Sequence, residues 1–81
     1  MDKITEIINE WDPLDLLPFA PQDEYEAEIN EIKNILKGNK DISIRELAFS
    51  INTILVNFLG DDYVPDMAKC IQVAQKILMQ L

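Results

Sequence analysis

Apolar positions recur with helical spacing over most of the chain. Ile4, Ile7, Ile8 and Trp11 fall at i, i+3, i+4 and i+7, which puts them on one face of a first helix over about residues 3–11. Asp2, Glu6 and Glu10 recur every four residues opposite them, a solvated face with Asp2 available as a cap. A second stripe, Tyr25, Ile29, Ile32 and Leu36, widened by Ile35, predicts a helix over about residues 24–37. Asp23 and Glu26 form an aspartate version of the capping box at its start. Gly38 follows where a left-handed cap belongs, and Lys33 and Lys37 complement the dipole of the last turns.

The third segment has the strongest start signal. Ser43-Ile44-Arg45-Glu46 is a capping box, and Ile42 can meet Leu47 as a hydrophobic staple. The predicted helix runs from residue 44 to 59, with Gly60 after it. Ile44, Leu47, Ala48, Ile51, Ile54, Leu55, Phe58 and Leu59 make an arc wider than a surface helix needs. That width predicts a central helix touching several neighbours. Phe49 and Val56 lie seven apart, outside the arc. They are expected to meet the 14–19 stretch, another helix or a second subunit. A fourth helix is predicted up to about residue 80, with Pro65 in its first turn and either Asp62 or Val64 as cap. Its expected inner face is Met67, Cys70, Ile71, Ala74, Ile77, Leu78 and Leu81. Lys69, Gln72, Lys76 and Gln80 lie opposite. No segment alternates as a half-buried strand does.

Residues 12–22 break this pattern, because Pro13, Pro18 and Pro21 each fix φ and remove a donor. Asp12 before Pro13 is suited to cap one short helical turn over residues 13–17, with Asp15 near its orphan amides. Leu14, Leu16, Leu17 and Phe19 are too apolar for an exposed loop. They are expected to fold back with Trp11 as a lid. The predicted fold is therefore all-α: one helical domain over residues 1–81, a small four-helix bundle-like unit with the proline-rich 12–22 segment packed across it.

The chain has 81 residues and a net charge of −8. A core of this size supplies only about 3–5 kcal/mol, so a homodimer is a standing alternative. The hydrophobic share of 48% argues against disorder. No apolar run reaches the roughly 18 residues of a membrane span. Met1-Asp2-Lys3 opens straight into an amphipathic pattern, so no signal peptide is expected. A single cysteine fits a reducing cytoplasm. Residues 1–31 hold ten acids and one base, Lys3, a net of −9; residues 32–81 hold five acids and six bases, a net of +1. Such a surface repels nucleic acid and anionic lipid and attracts a basic partner; the simpler reading is that it serves solubility alone.

Histidine is absent, which removes the commonest general base and metal ligand. Cys70 sits in an apolar arc and is expected to be an inert core thiol. Tyr25 and Tyr63 are expected as polar-tipped core residues. Neither Gly38 nor Gly60 belongs to a phosphate loop. Carboxylates are the abundant reactive type. Asp12, Asp15, Asp23, Glu24 and Glu28 could converge on a hard cation, but their spacing does not match a calcium loop. No cofactor is expected. Glu24, Glu28 and Glu31, with Asp15, form the candidate partner-facing acidic row, since neighbouring like charges disfavour an isolated helix. Phe49 and Val56 form the candidate oligomer contact.

Trp11-Asp12-Pro13-Leu14, then Pro21-Gln22-Asp23-Glu24-Tyr25 and Glu28-Ile29, resemble the signature of the YugE-like family of small bacterial proteins, found largely in Bacillus and relatives. The rest of the chain agrees only in length and helical pattern. The resemblance implies a small helical cytoplasmic protein of a Gram-positive bacterium, and it brings no activity, ligand or site residue. The expected function is a non-enzymatic acidic interaction or regulatory module that binds a basic protein. Its size, acidity and helical class are like those of immunity proteins that block toxic nucleases, an analogy of fold only. The alternatives are a homodimeric structural protein and, more remotely, a carboxylate-only enzyme or metal-binding protein.

Overall fold

The computed structural model describes residues 3–13 and 25–80. The lid formed by Leu14, Leu16, Leu17 and Phe19, the capping roles of Asp2 and Asp23, and the candidate residues Asp15 and Glu24 lie outside these residues. Among the described residues there are four α-helices and one 3-10 turn. They are α1 (Lys3–Trp11), α2 (Glu26–Gly38), α3 (Ile44–Leu59) and α4 (Met67–Met79), with the 3-10 turn Gly60–Asp62 after α3. The chain is all-α, as the spacing predicts. None of these helices is long and apolar enough to cross a membrane.

The ends of α3 follow its sequence signals. The Ser43 hydroxyl accepts from the Glu46 N–H at 3.1 Å, and Glu46 Oε1 accepts from the Ser43 N–H at 3.4 Å. Gly60 closes the helix with φ 61° and ψ −140°. Two other boundaries differ from expectation. α2 starts at Glu26 with Tyr25 in the cap position and no side-chain cap, later than an Asp23 cap implies. α4 is capped by neither Asp62 nor Val64 but by Asp66, whose Oδ1 accepts from the Lys69 N–H at 3.1 Å. Pro65 thus precedes the cap instead of lying in the first turn. Gly38 is also not a left-handed cap. It is the last residue of α2, and only Gly60 among the described glycines has positive φ.

The helices pack in a closed square. α3 packs against α2 and α4, and α1 packs against the same two helices from the other side. α3 and α1 are diagonal and make no close backbone approach. α3 is therefore not a hub touched by every helix. Its wide arc is used by two neighbours and the following 3-10 turn. Leu47, Ala48, Ile51 and Leu55 are fully buried there, while Ile44 and Phe58, at the two ends of the arc, are exposed. α4 is rotated from its expected face. Cys70, Val73, Ala74 and Ile77 are buried at i, i+3, i+4 and i+7, and Ile71 is exposed. On the α1 side, Val73 borders a cleft with Ile7 and Trp11.

Both tyrosines join elements. Tyr25 is fully buried, and its O–H donates to Asp12 Oδ1 at 2.5 Å, tying the end of α1 to the start of α2. Asp12 has φ 49° and its N–H donates to the Ile8 carbonyl at 2.9 Å. Aspartate is among the residues that tolerate this left-handed region. Tyr63 is buried beside Trp11 in an edge-to-face pair, with centroids 6.5 Å apart at 76°. Its hydroxyl donates to Asn52 Oδ1 at 3.2 Å and lies 3.4 Å from Cys70 Sγ.

Candidate binding groove

A groove of about 650 Å³ lies where α1 begins and α2 and α4 end. α1 contributes Lys3 and Ile4, and the last turns of α2 contribute Lys33, Leu36 and Lys37. The connection to α3 adds Asn39, Lys40 and Ile42, and the end of α4 adds Leu78 and Gln80. The volume is within the range of small-ligand sites, about 300–1,000 Å³. Ile4, Leu36, Ile42 and Leu78 give an aliphatic floor; each is half-buried and rests on the core.

Local hydrogen bonds fix the connecting wall. Asn39 Nδ2 donates to the Ile35 carbonyl at 3.0 Å, and the Asn39 N–H donates to the Leu36 carbonyl at 3.4 Å. These contacts satisfy carbonyls that the end of α2 leaves open. The Ile42 N–H then donates to the Asn39 carbonyl at 3.2 Å, closing a tight turn that carries Lys40. Ile42 also directly precedes the Ser43 cap, so the wall is anchored at both ends.

Four of the chain's seven basic residues line this groove, and none of its described lining residues is acidic. Lys33 and Lys37 have a simple structural use, since cations favour a helix C-terminus. That explanation fails for Lys3 and Lys40. Lys3 lies in the first turn of α1, where the dipole opposes a cation, and Lys40 lies beyond α2. Lys3 pairs with Glu6 at 3.6 Å on the surface, a contact worth about 0–1 kcal/mol. A chain of net charge −8 thus gathers four of its seven basic residues at one corner. Chemically it offers monodentate ammonium donors over a greasy floor.

The candidates from the sequence lie elsewhere. Glu31 is exposed on α2, but Glu28 is only 5% exposed, with Oε2 lacking a hydrogen-bond partner, and it does not share an outward row. Its spacing could have told this: Glu28 is three residues after Tyr25, four before Ile32 and seven before Ile35, so it lies on the buried stripe. Phe49 and Val56 are exposed on α3, at 65% and 41%. Of the five acids considered for a cation, only Asp12 and Glu28 are described. Among the described residues no group of three or more acids or cysteines comes together to hold a metal ion.

Cys70 and Tyr63 form a buried pair distant in character from the groove. Burial pushes the Tyr63 phenol up, and its hydrogen bond with Cys70 adds to this. Burial likewise raises the Cys70 thiol, against the opposing effect of the Tyr63 hydrogen bond. Both groups are thus held neutral, as befits core residues rather than nucleophiles. The groove lysines were missed at the level of sequence because they come from three separate segments. The available signals were the Lys33, Lys37 and Lys40 run and the isolation of Lys3 among ten acids.

Comparison with known proteins gives a family and nothing finer. No curated protein and no solved structure matches the chain significantly. A family profile, described as Domain of unknown function (DUF1871), matches residues 3–80, and the chain belongs to that family.

Proposed function

We propose that the chain is a non-catalytic recognition module, acting in the cytoplasm, that takes an apolar anionic partner into the lysine-rimmed groove. The carrying observation is the lining itself: four lysines around four aliphatic side chains, with no acid among the described lining residues. An apolar floor supplies affinity, and a few placed charges supply orientation and selectivity. The YugE-like resemblance is compatible with this reading and adds no ligand to it.

The test is a two-dimensional amide NMR titration with anilinonaphthalene sulfonate, an apolar anion. The expected result is movement of the Leu36–Ile42 amides, lost in the Lys37→Glu/Lys40→Glu variant. Binding that leaves those amides still, or ignores the variant, overturns the reading.

A second reading is the acidic module with a basic protein partner, in the manner of an immunity protein. It is favoured by the exposure of Glu6, Glu10, Glu26 and Glu31 on α1 and α2. Titration with polylysine separates the two readings, because it would move amides around these glutamates and not those of the groove. Such binding should weaken as salt rises.

A further inference from the structure

We infer that the occupant of the groove is an aliphatic anion, a single saturated chain ending in a carboxylate or phosphate head. The inference rests on the recognition reading above and names its ligand class. Three features select it. First, the floor is Ile4, Leu36, Ile42 and Leu78, with no aromatic ring among the described lining residues. An aromatic ligand would bury its apolar area there without gaining ring stacking, whereas a flexible chain packs more fully against branched aliphatic side chains and lysine stems.

Second, all four cations are lysines and none is arginine. Lysine is a compact point charge, without the planar fork that selects bidentate geometry. A small head group able to approach any of several ammonium groups matches that set. Third, the lysines line the groove from three different segments, the start of α1, the end of α2 and the connection to α3, so a head group has several ammonium groups to approach. Charge complementarity therefore favours an anion, and the floor favours a tail. The groove's volume of about 650 Å³ lies in the range of small-ligand sites and accommodates one chain.

The test is calorimetric and NMR titration of the full chain with sodium decanoate, below the concentration at which it forms micelles. Hexanoate, acetate, decyl phosphate and decyltrimethylammonium serve as comparisons. Decanoate is expected to move the Leu36–Ile42 amides and to bind about tenfold more tightly than hexanoate, since an open groove buries its four extra methylenes in part. Acetate and decyltrimethylammonium are expected to leave these amides unmoved. Lys37→Glu/Lys40→Glu should weaken decanoate at least about tenfold, the effect of reversing two nearby charges at low salt. Lys69→Glu/Lys76→Glu makes the same charge change at the α1–α4 cleft and should leave decanoate binding intact.

Decanoate and decyl phosphate each support the proposal, and the tighter of the two identifies the head group. Decanoate silence, equal binding of the ammonium compound, or equal loss in both lysine pairs overturns it. If anilinonaphthalene sulfonate binds while decanoate does not, the recognition reading stands and this ligand class is wrong. Movement of the groove amides on dilution alone would assign the groove to a second copy of the chain and overturn the proposal.

Discussion

Gly60 and Gly38 both follow apolar helical stretches, yet the backbone needs glycine at only one of them. Gly60 has φ 61° and ψ −140°, a region essentially restricted to glycine. Gly38 is helical without positive φ. A Cβ would meet nothing within 4 Å at either site, so only the backbone distinguishes them. Gly60→Ala should cost about 1–3 kcal/mol, and Gly38→Ala should stabilise by about 0.4–1 kcal/mol. Urea unfolding midpoints check both, and equal effects would refute the distinction. Tyr63 and Cys70 give a second residue-scale prediction. Both hold their protons more tightly folded than unfolded. The unfolded chain releases those protons first, from about pH 8.5 for the thiol and about pH 10 for the phenol. Stability should therefore be full below about pH 8 and fall as pH rises beyond it. Cys70→Ala should flatten the first part of that fall in urea unfolding followed from pH 7 to 10. An unchanged slope would mean the thiol carries none of it.

At the scale of elements, legibility followed the local chemistry of the ends. The bounds of α3 were readable because Ser43 and Glu46 satisfy each other's orphan groups within four residues. Ser43→Ala should cost about 1 kcal/mol, with amide exchange accelerated in the first turn of α3 before the rest. No such acceleration would place the helix start under tertiary control. The start of α2 has no side-chain cap. Tyr25 is held there instead by burial and by Asp12, a partner thirteen residues away that no local signal reveals. The start of α4 was misjudged because two acids flank Pro65. The cap itself is local, since Asp66 turns its carboxylate onto the Lys69 N–H three residues on.

Across the whole molecule, four amphipathic stripes meet in one core of about 3–5 kcal/mol, the expectation for this size. A stripe tells which side of a helix is inward, but not which neighbour covers each edge. For this reason the wide arc on α3 suggested a hub, whereas the helices close into a square with α1 diagonal to it. Phe49 and Val56 remain exposed on α3, and they carry the homodimer alternative. Under that alternative, sedimentation should show a dimer at high concentration that Phe49→Lys/Val56→Lys converts to monomer without loss of helical content. A monomer at every concentration would dispose of it.

Periodicity and capping pairs by themselves determined the helical class, the four described helices, most core positions and the place of Tyr25 on the inner stripe of α2, because each of these depends on residues within a turn or two of one another. The groove was settled only by tertiary structure. Lys3, Lys40 and Leu78 are far apart in sequence, and their joint meaning arises when the start of α1 and the ends of α2 and α4 come to one corner. The same holds for Val73, which the packing of the helices buries although the expected inner face of α4 left it out. Spacing along the chain records which residues share a face; only packing decides what that face meets.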